Sequence, residues 1–186
     1  MRQGALVVGF GPFLNITDNP AATLARSMDG KVLPGGQPIW GRVMDVSYAR
    51  APRQTLDWCA ALAPAVLVGV GVARSRTVIT VETAGSRLAD GCTPDVDGSV
   101  LQELAESGPD AVQLPAPASL LAEQLAGVVG TDAGRYVCNA WIYRICLALQ
   151  GTIPITFLHI PPSGLSPTTL VRALACWDAG GHHGLS

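Results

Sequence analysis

Short apolar runs alternate with stretches of helical periodicity along most of this chain. Runs of about six apolar residues, bounded by glycine or proline, are typical of strands that are buried on both faces of a sheet. One further run is rich in β-branched residues, which favour strands. From these patterns we predict strands at residues 5–10, 39–48, 65–71, 76–83 and 153–160.

Helices are predicted between these strands. One begins at Pro20, where Asp18 or Asn19 can act as the cap and proline suits the first helical position. Apolar residues at helical spacing predict further helices at residues 54–62, 118–129, 136–150 and 166–177. Strands that alternate with helices indicate an α/β fold. We expect a three-layer α/β/α sandwich with a twisted, mostly parallel sheet flanked by helices.

Two segments depart from this alternation. Between residues 85 and 117, Gly, Pro, Asp and Ser recur and no period lasts. This predicts a long excursion with short pieces of structure, which we expect over a site. Residues 178–186 are expected to form a loose C-terminal tail. Nothing resembling a linker divides the chain, so residues 1–186 are predicted to form one domain.

Composition narrows the class of protein. The chain has 186 residues, of which 48% are hydrophobic and 14% charged, with a net charge of −2. No basic stripe is present, so we do not expect nucleic acid as a partner. No window approaches the roughly 20 apolar residues of a membrane span. An odd count of five cysteines without a Cys-x-x-Cys pair predicts free thiols in a reducing, cytoplasmic setting and no metal site.

Cys138 is the residue that most directly indicates a catalytic role. It follows a turn that begins at Gly134 and lies where a helix is predicted to start. Helix amide groups favour a thiolate there, and the thiolate is the nucleophilic form of cysteine. The competing interpretation is a buried structural cysteine in the first turn. Cys92 lies in the irregular segment, and the remaining cysteines are expected to be core residues of apolar helices: Cys59, Cys146 and Cys176.

A nucleophilic cysteine needs a base, and the base needs a group that orients it. His159 ends a predicted strand, and the carboxyl ends of parallel strands form the usual site in an open α/β sheet. His182 and His183 lie in the predicted tail. Glu82 also ends a predicted strand, whereas the other three glutamates lie in surface-like stretches. Taken alone, His159 is also explained as a structural histidine bonded to a backbone carbonyl, and Glu82 is better explained as a solvated strand-end carboxylate.

Two Gly-x-Gly sequences offer a rival interpretation. Each follows a predicted strand, one beginning at Gly9 and the other at Gly69. Neither completes Gly-x-Gly-x-x-Gly, because Leu14 and Arg74 occupy the third positions, and no Gly-Lys-Ser/Thr follows. A nucleotide-binding protein is therefore a weakly supported hypothesis.

Four segments together resemble the signatures of type I pyroglutamyl peptidases. Gly9-Phe-Gly-Pro-Phe followed by Asn19-Pro resembles the N-terminal signature of this family, and Val81-Glu-Thr-Ala resembles its glutamate-bearing strand. Gly134-Arg-Tyr-Val-Cys-Asn matches the nucleophile motif, and Phe157-Leu-His-Ile-Pro matches the histidine motif. The order and spacing agree over nearly the whole chain.

The resemblance implies a cysteine peptidase that removes an N-terminal pyroglutamyl (5-oxoproline) residue from peptides through a thioester. It implies Cys138 as the nucleophile, His159 as the general base and then acid, and Glu82 as the orienting carboxylate. The residues that it implies for substrate binding are Phe10, Phe13, Val46, Tyr136 and Val137. It also implies no metal or cofactor, a cytoplasmic location, small pyroglutamyl peptides as substrates, and a homo-oligomer, either a tetramer or a dimer.

One position departs from the family pattern. An arginine is usual about ten residues after the glutamate, but here Cys92 stands at that position, within Asp90-Gly-Cys-Thr-Pro-Asp. Because the resemblance implies an arginine near the reacting carbonyl, its replacement motivates a second hypothesis. In that hypothesis the chain is a degenerate, non-catalytic binder of pyroglutamyl peptide termini.

Overall fold

The computed structural model describes residues 3–13 and 16–180. Its strands are β1 (Ala5–Phe10), β2 (Ile39–Met44), β3 (Val66–Val72), β4 (Thr80–Glu82), β5 (Ala84–Ser86), β6 (Ala111–Gln113), β7 (Val128–Gly130) and β8 (Ile155–Ile160). Its helices are α1 (Pro20–Met28), α2 (Arg50–Leu62), α3 (Ala118–Gln124), α4 (Val137–Leu149) and α5 (Pro167–Gly180).

Six strands form the central sheet in the order β2-β1-β3-β8-β4-β7. All neighbouring pairs are parallel except β4 and β8, which are antiparallel. The antiparallel pair brings the end of β4 beside β8 in the middle of the sheet. Strands β5 and β6 form a separate antiparallel ribbon.

Helices cover both faces of the sheet, which confirms the predicted three-layer sandwich. One core contains buried side chains of α1, α3 and α5, with Leu24, Leu121 and Leu170 among them. The other contains buried side chains of α2 and α4, such as Trp141, which is fully buried. The β5–β6 ribbon packs against α4 on this second face.

Several predicted boundaries differ from the observed ones. Strand β4 covers only residues 80–82 of the segment predicted at 76–83, because the chain leaves a turn at Arg76, whose N–H bonds to the Ala73 carbonyl, and then bends before the strand begins. Strand β2 ends at Met44, four residues before the predicted end. Helix α2 starts four residues earlier than predicted, and the Ser47 hydroxyl accepts a hydrogen bond from the Arg50 N–H at its start.

The helix predicted at 118–129 is wrong in its second half. Helix α3 ends at Gln124, and Ala126 adopts a left-handed conformation with φ of +50°. The Gly127 N–H then closes the helix on the Ala122 carbonyl at 2.8 Å. The β-branched residues that follow form β7, which pairs with β4 instead of extending the helix.

The excursion at 85–117 contains short pieces of structure, as predicted. Asn139 of α4 fastens its beginning to the fold, because its amide donates to the carbonyls of Ser86 and Leu88 and accepts from the Ser86 N–H. At the other end of the chain, α5 continues to Gly180, so only residues 181–186 of the predicted tail lie outside the described residues. Within the described ranges, no helix is both long and apolar enough to cross a bilayer.

Candidate active site

The carboxyl end of β8 carries His159, and the end of β4 carries Glu82. The imidazole Nδ1 lies 2.7 Å from Glu82 Oε1. Both residues are buried, with Glu82 only 1% exposed and His159 5% exposed. Glu82 is therefore not a solvated strand-end carboxylate, and His159 bonds to a carboxylate rather than to a backbone carbonyl. Phe157 packs edge-on against the imidazole ring at 5.1 Å between ring centroids.

Glu82 has a second partner that the sequence did not reveal. Arg76 Nη1 lies 2.6 Å from the same carboxylate oxygen, Oε1. The other guanidinium nitrogen, Nη2, donates to the carbonyl of Asp132 at 2.8 Å. Sequence reasoning assigned Arg76 to the beginning of a strand, and no spacing rule marks it as a partner of Glu82.

Cys138 is the second residue of α4. Gly134, with φ of +76°, makes the turn that precedes this helix, and the Asp132 carboxylate accepts a hydrogen bond from the Gly134 N–H. Tyr136, at the N-cap of α4, makes no side-chain capping hydrogen bond. The free amide groups of the first turn are therefore available to a negatively charged group near Cys138.

The surroundings of Gly71 show where the Cys138 thiol lies relative to the His159 imidazole. Gly71 on β3 is the register partner of His159 on β8. A β-carbon built on Gly71 would lie only 2.7 Å from Cys138 Sγ. Since register partners on parallel strands point to the same face of a sheet, Sγ lies over the strand next to His159 and on the side of its imidazole. The structure therefore brings Cys138, His159 and Glu82 to one place.

The surroundings of Cys138 favour the protonated thiol. Burial first, and then the negative charge of Glu82, raise the pKa of Cys138 to about 12, whereas its own backbone N–H and Arg76 act in the opposite direction. Desolvation and Glu82 thus oppose the thiolate that the amide groups at the start of α4 favour. A base must remove the thiol proton before the sulfur can attack.

The other four cysteines have different surroundings. Cys59 is buried and Cys146 is half-buried, and burial raises the pKa of Cys146 to about 11. The prediction that Cys176 belongs to the core is wrong, because it is exposed on α5 while Ala173, Leu174 and Trp177 of that helix are buried. Cys92 is also exposed.

A cavity of about 310 Å³ opens beside Cys138. All five residues predicted to bind substrate line it, together with Cys138 itself: Phe10, Phe13, Val46, Tyr136 and Val137. Four further lining residues were missed by sequence reasoning: Ile16, Asn19, Val72 and Arg74. Asn19 was predicted only as a helix cap, which it is, since its side chain accepts from the Ala21 N–H at 3.0 Å.

Aromatic rings form one wall of this cavity. Tyr136 packs against Phe13 at 5.2 Å and edge-on against Tyr48 at 5.7 Å between centroids. Its hydroxyl donates to the Pro94 carbonyl at 2.8 Å, which ties the excursion to the cavity wall. Burial raises the pKa of Tyr136 above its ordinary value, so the hydroxyl remains a neutral donor.

Cys92 does not line the cavity. Its backbone N–H donates to the Asp90 carboxylate in a local turn, and its sulfur lies 3.8 Å from the Thr93 hydroxyl. The arginine that lines the cavity is Arg74, on the turn after β3. No group of three or more His, Cys, Asp and Glu side chains within residues 3–13 and 16–180 is arranged to hold a metal ion.

Comparisons with known proteins identify one family. The pyroglutamyl peptidase family model, Peptidase_C15, matches residues 3–166. A pyrrolidone-carboxylate peptidase of Deinococcus radiodurans is 30% identical over 167 residues, covering 84% of this chain and 77% of the relative. One from Aliivibrio fischeri is 32% identical over 186 residues, covering 91% and 86%.

Solved structures show the same fold. The pyroglutamyl peptidase I of Bacillus amyloliquefaciens superimposes with a TM-score of 0.85 at 23% identity, covering 96% of this chain and 94% of that one. The pyrrolidone carboxyl peptidase of Thermococcus litoralis gives a TM-score of 0.83 at 22% identity, covering 95% and 92%. The family match spans most of the sequence, and the chain belongs to the pyroglutamyl peptidase family of cysteine peptidases.

Proposed function

We propose that this protein removes the N-terminal pyroglutamyl residue from small peptides, with Cys138 as nucleophile, His159 as general base and then acid, and Glu82 as the carboxylate that orients His159. The observation that carries the proposal is the buried Glu82–His159 pair beside the one thiol that lines the aromatic cavity. Membership of a peptidase family agrees with peptide substrates.

The hydrogen bond between His159 and Glu82 defines the direction of proton transfer. When Nδ1–H donates to Glu82 Oε1, the lone pair of Nε2 is left free to accept a proton. Nε2 then takes the proton of the Cys138 thiol, and the sulfur attacks the scissile carbonyl carbon to give a tetrahedral intermediate. Collapse of this intermediate breaks the C–N bond, the leaving amine takes the proton from His159, and a thioester remains. Water, deprotonated by His159, hydrolyses that thioester.

The first turn of α4 supports stabilisation of the developing oxyanion. Tyr136 at its N-cap makes no side-chain capping hydrogen bond, and the N–H of Cys138 belongs to this turn. Backbone donors aimed at a developing negative charge are worth several kcal/mol in a site that excludes water. We include the Cys138 N–H as one oxyanion donor, with the positive end of the helix behind it.

The cavity supports selection of a small neutral ring. Phe10, Phe13, Val46 and Val137 give it an apolar lining that suits the methylene groups of a lactam. A peptide with an ordinary charged N-terminus would have to bury an unpaired ammonium group there, which is costly. Selection against free N-termini follows from this lining.

Replacement of the nucleophile tests the proposal. Cys138→Ser should lower the release of a chromophore from a pyroglutamyl amide by roughly 10³-fold or more, because an alcohol is a far weaker nucleophile here. Cys176→Ser is the matched control, since this thiol is exposed on α5, away from the cavity. Retention of wild-type turnover in Cys138→Ser would show that the nucleophile assignment is wrong.

The same preparations separate an enzyme from a non-catalytic binder. Calorimetric titration of the wild type with a pyroglutamyl peptide, beside the turnover assay, measures binding and hydrolysis together. Binding without hydrolysis by the wild type would overturn the enzymatic proposal in favour of the degenerate binder.

The proposal includes a cytoplasmic homo-oligomer. Cys92, Cys138, Cys146 and Cys176 are free thiols, which supports a reducing compartment. Val128 and Val129 of edge strand β7 are 48% and 44% exposed, and such apolar surface supports self-association into a dimer or tetramer. Fractionation of cells that express the protein at native level tests the location, and recovery in a secreted fraction would contradict it.

A further inference from the structure

We propose that Arg76 is a positioning residue for this reaction, whose guanidinium joins the carboxylate that orients His159 to the loop that leads into the nucleophile. This inference rests on the proposed function and adds a residue to it. Arg76 Nη1 lies 2.6 Å from Glu82 Oε1, and Nη2 lies 2.8 Å from the Asp132 carbonyl oxygen. One side chain thus contacts both halves of the site.

The burial of Glu82 makes this contact necessary. Its side chain has 0% exposure, and Oε2 accepts no hydrogen bond from any of the described residues. Oε1 therefore carries both known interactions, one with Arg76 and one with His159. A buried carboxylate is costly without a compensating cation. Arg76 supplies that positive charge to Glu82 while the same carboxylate oxygen still bonds to His159.

The second contact holds the approach to Cys138. Asp132 accepts from Arg76 through its backbone carbonyl and from the Gly134 N–H through its carboxylate at 2.9 Å. Gly134 then turns the chain into α4, and the Asp90 N–H bonds to the Arg135 carbonyl at 2.9 Å. The turn at Ala73 holds the backbone of Arg76. The two contacts of its planar guanidinium group therefore fix the distance between β4 and the start of α4.

The charges around the thiol give the sign of the expected effect. Glu82 and Arg76 act on Cys138 from β4 and the turn before it, His159 faces it from β8, and Tyr136 and Arg74 border the same cavity. Glu82 raises the pKa of Cys138 and Arg76 lowers it. Removal of the guanidinium charge should therefore raise the pKa of the Cys138 thiol further.

The alkylation rate of Cys138 as a function of pH measures this coupling without turnover. Iodoacetamide is uncharged and reacts with the thiolate, and peptide mapping assigns the product to each of the five cysteines. In Arg76→Gln, the midpoint for Cys138 should move up by roughly one pH unit, as loss of a nearby opposite charge does. In Glu82→Gln it should move down. Arg172→Gln removes the same charge from the exposed face of α5 and should leave the midpoint unchanged.

Arg76→Lys separates the effect of the positive charge from the effect of the two guanidinium hydrogen bonds. Lysine keeps the positive charge but has no planar pair of donors for Glu82 and Asp132 together. The Cys138 midpoint should stay near that of the wild type, while kcat on a pyroglutamyl amide falls by about tenfold because the loop and the carboxylate are no longer held together. This variant also decides the question if Arg76→Gln fails to fold.

Four outcomes would overturn the proposal: an unchanged or lowered midpoint in folded Arg76→Gln, a raised midpoint in Glu82→Gln, a shifted midpoint in Arg172→Gln, or wild-type kcat in Arg76→Lys. Its failure is distinguishable from failure of the proposed function. If the variants show the predicted shifts of the alkylation midpoint but the wild type hydrolyses no pyroglutamyl amide, the proposed function is refuted and the coupling through Arg76 is supported. Hydrolysis without any shift refutes the role of Arg76 alone.

Discussion

Gly71 shows how much of this site depends on a missing side chain. A β-carbon at this position would lie 2.7 Å from Cys138 Sγ and 3.1 Å from Phe157 Cζ, both tighter than ordinary packing. The second glycine of the motif that begins at Gly69 therefore makes room for the nucleophile. A Gly-x-Gly sequence after a strand is also found in phosphate-binding loops, but here the backbone of Gly71 lies against the Cys138 thiol.

Gly71→Ala should impair the reaction more than the fold. The added methyl group forces Sγ away from its position beside the imidazole, and a misplacement of about 1 Å can cost roughly 10²-fold in rate. We expect kcat/KM on a pyroglutamyl amide to fall by about this factor.

Gly69→Ala is the matched control on the same strand and face. Its β-carbon would meet Phe157 Cδ2 at 2.5 Å and Trp141 Cζ3 at 2.6 Å, in the core rather than at the thiol. It should lower the free energy of unfolding by about 1–3 kcal/mol, through overpacking, and reduce kcat/KM less than Gly71→Ala does. The opposite order of the two kcat/KM values would contradict the role given to Gly71.

Side chains with a local signal were predictable, and side chains that act across the fold were not. Cys138 and His159 lie beside a helix start and a strand end, which the sequence displays. Arg76 meets Glu82 only after the chain has turned at Ala73, and it meets Asp132, 56 positions later, only because β7 pairs with β4. No periodicity encodes those contacts.

Among the helices, α4 organises most of the site. Its first turn carries Cys138, and the next residue, Asn139, is 1% exposed and holds the start of the excursion through three hydrogen bonds. The ribbon packs closely on the same helix, since a β-carbon on Gly85 would lie 2.7 Å from Ile142 Cγ2. The excursion and the nucleophile therefore share one support.

Asn139→Ala should destabilise the fold and loosen the excursion. The substitution removes one acceptor and two donor contacts and leaves the Ser86 N–H and the Ser86 and Leu88 carbonyls without these partners. We expect a loss of about 2–4 kcal/mol in the free energy of unfolding, measured by urea titration, together with faster proteolysis between residues 85 and 117.

Ser27→Ala is a suitable comparison, because the Ser27 hydroxyl makes one local bond to the Leu24 carbonyl. It should cost no more than about 1 kcal/mol. Equal losses in the two variants would show that the excursion does not depend on Asn139.

Strong local patterns predicted the elements well, and competing tertiary contacts explain the exceptions. The continuous apolar runs of β1 and β8 gave correct strands because both are buried on both faces. Residues 118–129 have helical spacing throughout, yet the left-handed Ala126 and pairing with β4 convert their end into β7. Helix propensity there is weaker than the gain from completing the sheet.

The two faces of the sandwich have separate tasks. Cys138, the ring of Phe157 and the pocket residues Phe10 and Val46 belong to the core beneath α2 and α4. The core beneath α1, α3 and α5 contains none of the residues to which we assign chemistry. The face beneath α1, α3 and α5 therefore contributes mainly stability, and Val72, which packs against its core, also lines the cavity.

The sheet has two edges, and they differ in apolar surface. Strand β7 forms one edge, where Val128 and Val129 are 48% and 44% exposed, and Val78 lies nearby at 44%. An edge strand presents unpaired backbone groups, and an identical strand related by a two-fold axis can pair with them. We therefore expect two copies of this chain to associate through β7.

Val128→Lys should dissociate this assembly, because a charged side chain on the edge strand cannot be buried against a second copy without a partner. Light scattering after size exclusion should give two or four times the chain mass for the wild type and half of the wild-type mass for Val128→Lys. Val32→Lys is the matched control, since Val32 is 58% exposed near β2, at the opposite edge. A monomeric wild type, or dissociation by Val32→Lys instead, would refute association through β7.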